Sequence, residues 1–449
     1  MASNFNIKIA IIFRSLKYRN YRLFFGGQSI SLIGTWMQRI AMPWLVYSMT
    51  GSAFQLGLIS FAGQVPTFLL APFAGVITDK FPKYRILLIT QVISLLQAAV
   101  LAIMALTGAI QIWQIIFLSV VLGCVNAFDT PSRQSFVIEM VEKKEDLGNA
   151  IALNSMMFNG ARIIGPSIAG IILATAGEGI CFLINSVSYV FVILSLLGMK
   201  VAVKERQKKA GTLLGDLKEG LDYTFGFAPI RHLLLLLASV SLMGSSYQVL
   251  MPVFAKEVLG GSSATFGFLM GSAGFGALAG ALLLASRETT IKLGKVIPYA
   301  AAMFGAGLAS LSFSRHFPVS LFLMLVTGLS LMVYTASSNT ILQTITDDDK
   351  RGRVMSFYTL AIMGTAPFGS LLAGTLARLL GTPGAILAGG LCCIAGAFIF
   401  YKKLPGLKEN VRPLYEKMGL IPEVVTGINS ASEPVVDHVR LREREGGNQ

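Results

Sequence analysis

The chain has 449 residues, of which 54% are hydrophobic and only 13% are charged, and its mean hydropathy is +0.67. This composition excludes an ordinary soluble domain, in which charged residues make up about a quarter of the chain. The net charge of +14 is compatible by itself with nucleic-acid binding, but the placement of the basic residues argues against it.

Twelve apolar runs follow the first 21 residues, each long enough to cross a bilayer as a helix of roughly 20 residues. Lipid offers no partner for a free backbone N–H or C=O group, so these runs must be helical. A membrane β-barrel would show short alternating segments instead. The predicted spans are 22–47, 55–77, 85–106, 112–132, 147–174, 179–199, 231–256, 264–285, 294–313, 318–338, 353–378 and 383–402.

The second half of the chain repeats the first. The tetrapeptide SLIG at 31–34 returns as SLMG at 241–244, and the glycine-serine pair at 51–52 returns at 261–262. Glycines recur as well, and the repeated pairs are Gly57 with Gly267, Gly160 with Gly364, Gly165 with Gly369 and Gly170 with Gly374. The repeat predicts an all-α integral membrane protein with twelve transmembrane helices, arranged as two pseudo-symmetric six-helix bundles at 22–199 and 231–402. Two such halves facing a central path are the design of a secondary transporter.

Three polar regions flank these bundles. Residues 1–21 are predicted as a cytoplasmic N-terminal segment, residues 200–230 as a cytoplasmic amphipathic linker, and residues 403–449 as a cytoplasmic, mobile tail. Of the 37 lysines and arginines, three fall on the predicted outer side, two fall inside helices, and the other 32 fall on one side. That asymmetry places both termini in the cytoplasm by the positive-inside rule and explains the net charge without nucleic acid.

No catalytic or metal-binding constellation is visible in the sequence. The four cysteines lie within predicted helices with neither metal nor disulfide spacing, and the three histidines are scattered. There is no phosphate-binding loop of the type G-x-x-x-x-G-K-[ST], so ATP is not expected as the direct energy source. The sequence therefore predicts no enzyme, no metal and no cofactor, with the proton-motive force as the driving energy.

The stretch between predicted helices 2 and 3 reads GVITDKFPKYR over residues 75–85. It resembles the signature loop of the major facilitator superfamily, G-x-x-x-D-[RK]-x-G-[RK]-[RK], although a proline replaces the second glycine. In that family the loop latches the two halves while the cytoplasmic gate is shut, whereas the alternative is an ordinary charged loop. The resemblance implies a latch formed by Gly75, Asp79, Lys80, Lys83 and Arg85.

Predicted helix 5 carries GARIIGPSIAG over residues 160–170. This stretch resembles the antiporter motif of exporters in the same superfamily. Small residues allow helices to cross closely, and a proline removes one backbone hydrogen bond and permits a bend. The predicted helix-bend residues are Gly160, Gly165, Pro166 and Gly170, and the alternative is generic helix packing.

A narrower resemblance covers roughly residues 15–400. The stretch WMQRIAMPWLVY at 36–47, NAFDTPSR at 126–133 and the glycine-proline segment of helix 5 are similar to the bacterial transmembrane secretion effectors. That subgroup includes the enterobactin exporter and macrolide efflux pumps. The resemblance implies the fold and export of a small molecule, but fold-level likeness does not identify the substrate.

Charged residues inside a bilayer are costly and usually functional. Arg39 on helix 1 and Arg162 on helix 5 are predicted to form a cationic zone for an anionic or strongly polar substrate group. Asp129 on helix 4 is predicted as the proton-coupling residue, forming an ion pair with Arg162 or Arg133 that a proton would weaken. The alternatives are arginines that bond backbone carbonyls and an aspartate that anchors the end of its helix.

Polar and aromatic neighbours complete the predicted substrate site. Buried amides need hydrogen-bond partners, and aromatic rings can stack on a flat ligand, although both also serve simply as packing residues. The residues chosen beside the arginines are Gln38, Asn159, Trp36 and Phe158. The second half of the chain is expected to offer a mostly apolar wall of small residues.

The sequence thus predicts a monomeric, multi-pass exporter of the cell inner membrane that works by alternating access and proton antiport. Its expected partners are a small-molecule substrate, protons and the lipid bilayer. A siderophore-like or other anionic metabolite is the favoured substrate, and macrolide or multidrug efflux is the main alternative. Import, lipid flipping and a sensor role stay open at this stage.

Overall fold

The computed structural model describes residues 13–200, 222–286, 293–347 and 350–417, and every regular element in these ranges is helical. The predicted all-α class is therefore confirmed for the described residues. Most of the predicted linker and the tail from residue 418 onward lie outside the described residues. Nine helical stretches in the described ranges are long and apolar enough to cross a membrane. The chain is a multi-pass membrane protein.

The first half of the chain forms five helices after a short 3-10 turn at Arg14–Lys17. Their bounds are α1, Arg19–Thr50; α2, Ala53–Lys80; α3, Lys83–Leu106; α4, Ile112–Glu139; and α5, Lys144–Leu197. Helix α5 has 54 residues and is interrupted at Gly177, which has φ of 80°. Only glycine adopts that conformation without strain, so Gly177 reverses the chain between predicted spans 5 and 6.

The second half follows the same plan. Its helices are α6, Ala228–Val258; α7, Ser263–Ala285; α8, Leu293–Phe313; α9, Phe317–Ile345; α10, Arg351–Thr359; and α11, Ala366–Lys417. Helix α6 contains two π-helical turns, Val240–Gly244 and Phe254–Val258, and a third, Leu360–Gly364, joins α10 to α11. Helix α11 is interrupted at Gly381, with φ of 74°, the counterpart of Gly177.

The sequence repeat reappears in the capping of the helices. The Ser52 side chain accepts a hydrogen bond from the backbone N–H of Gln55 and caps α2. Ser262, at the repeated position, caps α7 in a capping box with Thr265. Unsatisfied N–H groups at a helix start are costly in a membrane, so the same short turn needs the same capping residue in both halves.

The two halves meet through pairs of glycines that the repeat relates to each other. Gly57 of α2 lies against Gly374 of α11, and Gly170 of α5 lies against Gly267 of α7. A Cβ built on Gly267 would lie 2.6 Å from the carbonyl oxygen of Pro166 and 2.7 Å from the Cα of Gly170. Absence of side chains thus lets the backbones of opposite halves touch near the predicted outer end.

Two helix boundaries differ from the predicted domain limits. Helix α1 begins at Arg19, inside the predicted N-terminal segment, and α11 continues to Lys417, beyond the predicted end of the second bundle at 402. The extension is ordered by packing, because Leu404, Leu407 and Val411 lie at helical spacing and are all buried in the core. Hydropathy could not find it, since the opposite face of the same turns is charged.

A second departure concerns the segment before α1. Asp146, at the start of α5, lies 3.1 Å from Arg14 and 2.6 Å from Lys17 and accepts a hydrogen bond of 2.7 Å from the Tyr18 hydroxyl. The bond to Asp146 raises the pKa of Lys17. These contacts dock the turn before α1 on the start of α5.

One polar contact joins the halves beside the glycine crossings. The Tyr47 hydroxyl of α1 donates a hydrogen bond to the Glu257 carboxylate of α6, and the Lys256 ammonium lies 5.5 Å from the centre of the Tyr47 ring. Tyr47 is only 4% exposed. We call Tyr47, Lys256 and Glu257 the outer clamp.

Replacing Tyr47 by Phe is expected to remove the clamp's hydrogen bond while keeping the ring under Lys256. Hydrogen bonds to charged groups contribute about 1.5–3 kcal/mol, but Glu257 is exposed, so the loss in unfolding free energy should lie near the lower bound. Thermal unfolding of the purified protein measures it. Tyr84→Phe, the same substitution in α3 and outside the clamp, is the control. Equal melting temperatures for the two variants would contradict the prediction.

Candidate functional site

A cavity of about 470 Å³ lies between the two halves of the chain. Helices α1, α2, α4 and α5 contribute its wall from the first half, and α6, α7 and α11 contribute it from the second. The apolar part of the wall consists mainly of Ile40, Met42, Val46, Leu56, Ile59, Val249, Phe266 and Met270. A cavity at the interface of two repeats is where transporters bind their substrates.

The predicted cationic zone is assembled around one indole ring. The Arg39 guanidinium lies 4.8 Å from the centre of the Trp36 ring, and the Arg162 guanidinium lies 5.9 Å from it. Phe158 packs edge-on against the same ring, at 5.9 Å between centroids. Trp36 and Arg39 line the cavity. We call Trp36, Arg39, Phe158 and Arg162 the arginine–tryptophan cluster.

Neither arginine of the cluster is neutralised by a carboxylate. Within the described ranges, the ion pairs shorter than 4 Å are confined to other residues, and neither guanidinium hydrogen-bonds a backbone carbonyl. The alternative in which both arginines hold backbone carbonyls is therefore not what the structure shows. Arg39 is solvent-accessible although it lies between the two halves of the chain. The cavity that it lines accounts for this exposure.

Arg162 connects the cluster to the second half. It lies within electrostatic range of Tyr247 of α6, which is 3% exposed and packs edge-on against Phe304. Arg39 in turn lies within electrostatic range of Arg162 and Arg133. Arg133 is paired with Asp129, but Arg39 and Arg162 have no carboxylate within 4 Å in the described residues, so these two charges attract an anion, and solvent screens them less than it does at the surface.

Gln38 and Asn159 both hydrogen-bond other groups of the protein in this arrangement. Gln38 Nε2 donates to the side-chain Oε1 of Gln97 at 3.2 Å, and Gln38 Oε1 accepts from Asn185 Nδ2 at 2.7 Å. Gln38 borders the cavity, but its polar atoms tie α1 to α3 and to the second part of α5. Asn159 donates to the backbone carbonyl of Ser155 at 2.9 Å in its own helix.

Asp129 lies in a buried polar cluster beside the cavity wall rather than in it. Its Oδ1 accepts hydrogen bonds from Thr90 at 3.0 Å and Gln91 at 2.8 Å, and its Oδ2 lies 3.3 Å from Arg133. It is 5% exposed. Of the two partners predicted, the structure selects Arg133, one helical turn away, and not Arg162. The hydrogen bonds from Thr90 and Gln91 show that Asp129 joins α4 to α3, in addition to any role at the end of its own helix.

Among the predicted latch residues whose side chains the structure describes, none forms an ion pair across the halves. Lys83, with its side chain 4% exposed, pairs with Glu139 at the end of α4, which belongs to the same half. Lys80 and Arg85 are exposed. Gly75 and the Asp79 side chain lie outside the described residues. The sequence of the 75–85 stretch places its charged residues between α2 and α3. It does not show which helix supplies the ion-pair partner of each charge.

The helix-bend residues fall into two groups. Gly165 lies against α1, where a Cβ would be 2.5 Å from the Cβ of Trp36, and Gly170 forms the crossing with α7. Pro166 is buried beside that crossing, since its carbonyl oxygen faces Gly267. Gly160 has open space where a side chain would be, so it is not a packing residue. Three of the four residues therefore sit at helix contacts.

The second half of the cavity wall is more polar than expected. Hydroxyl and amide side chains line it, namely Ser241, Ser245, Ser246, Gln248 and Ser370. The Ser60 hydroxyl of α2 donates to the Ser370 hydroxyl of α11 at 3.1 Å across the cavity. The expectation of an apolar wall was wrong on this side. The signal was present, since serines at 241, 245 and 246 recur at one helical turn.

The described residues hold no group of three His, Cys, Asp or Glu side chains able to ligate a metal. The cavity at the interface of two repeated helical halves, lined by the Arg39 guanidinium and by hydroxyl groups, defines a membrane transporter for a small molecule.

Comparison with known proteins identifies the family. The profile of the transmembrane secretion effector family matches residues 12–440, and the chain belongs to that family. The staphyloferrin A transporter of Staphylococcus aureus is 29% identical over 382 residues, which cover 85% of this chain and 95% of that protein. Macrolide efflux protein A of Streptococcus pyogenes is 25% identical over 404 residues, covering 84% and 96%. The multidrug efflux pump Tap of Mycolicibacterium fortuitum is 24% identical over 357 residues, covering 78% and 87%.

Solved structures agree on the fold. The crystal structure of a bacterial homologue of the iron transporter ferroportin, in an inward-facing state, superposes with a TM-score of 0.66 at 16% identity and covers 86% of this chain and 98% of that one. The bacterial homologue of the lysosomal transporter Spinster gives a TM-score of 0.65 at 14% identity, with 89% and 98% covered. At these identities the likeness establishes the major facilitator fold alone.

Proposed function

We propose that this protein exports an anionic, hydrogen-bonding small molecule across the inner membrane by alternating access, driven by protons. The observation that carries the proposal is the arginine–tryptophan cluster. Two guanidinium groups beside one indole, without a carboxylate within 4 Å in the described residues, leave an anion of the substrate as the natural counter-charge. The hydroxyl wall of the second half would receive the substrate's other polar groups.

The transport cycle we propose rests on two six-helix bundles. The breaks at Gly177 and Gly381 support dividing one long apolar stretch in two in each half, and with α1 as a further crossing the nine stretches would become twelve spans. The glycine crossings and the outer clamp hold the predicted outer end together in this conformation. Parting of these contacts would open the cavity outward. A single chain supplies both bundles, so a monomer suffices, with both termini in the cytoplasm.

Substrate identity follows from chemistry shared with the relatives. The staphyloferrin A transporter of Staphylococcus aureus is named for a defined metabolite, and a siderophore-like anion fits the cluster. We therefore propose export of a carboxylate- or catecholate-bearing metabolite of this kind.

A second candidate is efflux of an amphiphilic drug such as a macrolide. The observation that favours it is the apolar stretch of the cavity wall, where Trp44 of α1 stacks on Phe266 of α7 at 6.2 Å between centroids. Two of the similar proteins are named as macrolide and multidrug efflux proteins. This candidate leaves the two arginines without a role, which is why we rank it second.

The proposal is tested by uptake into inverted membrane vesicles energised by a proton gradient. The panel contains staphyloferrin A, a catecholate siderophore, a macrolide and a cationic dye. We expect uptake of one anionic compound that an uncoupler abolishes. Preference for the macrolide would transfer support to the second candidate, and uptake only in right-side-out vesicles would indicate an importer. Loss of lipid asymmetry without uptake of any compound would indicate a flippase.

We propose Asp129 as the proton-coupling residue. Protonation would break its ion pair with Arg133 and weaken its bonds to α3, which biases the equilibrium between the two access states. Asp129→Asn is therefore expected to remove the dependence of uptake on the proton gradient while substrate binding persists. Uptake at varied external pH measures this. Glu142→Gln, which removes an exposed carboxylate just after the same helix, is the control, and unchanged gradient dependence in Asp129→Asn would refute the assignment.

A further inference from the structure

A basic groove lies on the surface of the second half, away from the transport cavity. It is open, has a volume of about 620 Å³, and runs between the start of α6 and the end of α11. Arg231 and His232 line one side, and Lys402, Lys403 and Glu409 line the other. Three fixed cations thus face one carboxylate. In the described part of the chain, no carboxylate lies within 4 Å of any of these cations.

The groove is pre-organised by contacts that do not consume its charge. The Lys403 ammonium donates to His232 Nε2 at 2.9 Å, while His232 Nδ1 donates to the Ala228 carbonyl oxygen at 2.8 Å. This pair of bonds requires a neutral histidine, because only Nδ1 then carries a proton. The Arg231 guanidinium bonds the Phe225 carbonyl oxygen through Nη1 alone. Both cations keep donors free for an anion.

The backbone leaves room for a ligand of some size. The floor of the groove includes Gly406, where a Cβ would meet no atom within 4 Å. The helix that carries Gly406 is held from the other side, because Leu404 and Leu407 are buried in the core. The open space is therefore a feature of a packed helix and not of a loose end.

Aromatic and apolar residues place the groove at the level of lipid headgroups. Tyr299 and Tyr401 are exposed and pair at 5.7 Å between ring centroids, in the manner of an interfacial aromatic belt. One turn further into the bilayer the surface is apolar, since Phe398 and Leu235 are 56% and 54% exposed. The Lys402 ammonium lies 4.6 Å from the centre of the Phe398 ring, so charge and apolar surface adjoin.

We propose that this groove binds the phosphate of an anionic phospholipid, with the headgroup between Arg231 and Lys403 and an acyl chain over Phe398. A free phosphate shares the charge chemistry but would make no use of the apolar strip, which is why a lipid is the favoured ligand. Basic pockets at membrane level between helices bind phospholipid headgroups in this way. The site is separate from the transport cavity and does not depend on the proposed substrate.

The experiment uses the full-length protein in nanodiscs of phosphatidylglycerol and phosphatidylcholine in equal amounts. Native mass spectrometry then measures which lipid stays bound after release. We expect phosphatidylglycerol to be retained preferentially, and Arg231→Gln with Lys403→Gln to lower that preference by about fivefold for each charge removed. Lys295→Gln, an exposed basic residue outside the groove, is the matched control and should leave the preference unchanged.

A second pair of variants changes the groove without removing its cations. Gly406→Glu places a negative charge in open space and should lower phosphatidylglycerol retention, whereas Gly406→Ala should not. Equal retention of both lipids by the wild type, or equal behaviour of the groove variants and Lys295→Gln, would overturn the proposal. Thermal stabilisation by inorganic phosphate that matches stabilisation by phosphatidylglycerol would overturn the lipid assignment in favour of free phosphate.

Discussion

Arg39→Gln and Arg162→Gln are each expected to lower kcat/KM for the anionic substrate by about 10- to 100-fold. A hydrogen bond to a charged group is worth about 1.5–3 kcal/mol, and each variant removes the guanidinium that would make it. Uptake into inverted vesicles at several substrate concentrations measures the effect. The unfolding free energy should change little, because in the described residues neither guanidinium takes part in an ion pair and each is held only by its contact with the Trp36 ring.

This pair of readouts separates substrate binding from a structural role. If the arginines only hold the helices together, the variants would unfold at lower temperature and would lose uptake of neutral and anionic compounds alike. Arg39→Lys is the conservative variant. It keeps the charge but loses the planar group that lies over Trp36, so it should retain part of the anion uptake. Full activity in both glutamine variants would remove the cluster from the substrate site.

Gly267→Ala is expected to abolish transport. The added Cβ would lie 2.6 Å from the carbonyl oxygen of Pro166 and 2.7 Å from the Cα of Gly170, and neither backbone atom can move without shifting α5. Overpacking of this kind costs about 1–3 kcal/mol. This free energy destabilises only the conformation in which α5 and α7 are in contact. The equilibrium should therefore shift toward a conformation in which the two halves are separated at the predicted outer end. Transport assays and maleimide labelling of Ser263→Cys, which is buried one turn away, measure both effects.

Gly160→Ala provides the matched control, since it makes the same chemical change in α5 at a position with open space. Alanine is favoured over glycine inside a helix by about 0.5–1 kcal/mol, so this variant should be active and slightly more stable. If Gly267→Ala transports at the wild-type rate with unchanged labelling of the cysteine, the crossing is not required for the closed outer end.

The sequence by itself determined the class of the protein and the repeat. Lipid leaves helices as the only structure for long apolar runs, so composition and run length sufficed for the all-helical prediction. The repeat identified Gly57 with Gly267 and Gly170 with Gly374 as equivalent positions. The resemblance of three short motifs indicated the family, and the family profile that matches residues 12–440 confirms that prediction. Such features are local or periodic, and they survive without knowledge of the packing.

Tertiary structure alone decided which polar groups are free and which are engaged. Gln38 is 147 residues from Asn185 in the chain, yet their amides bond, and this bond engages the side-chain oxygen of Gln38 at the border of the cavity. Asp129 takes partners from α3, and Lys83 pairs within its own half and not across the halves. Arg39 and Arg162 meet over Trp36 because Gly165 lets α5 approach α1 closely. Helix periodicity shows which face a residue occupies, but the neighbour on that face comes from distant sequence and is set only when the helices pack.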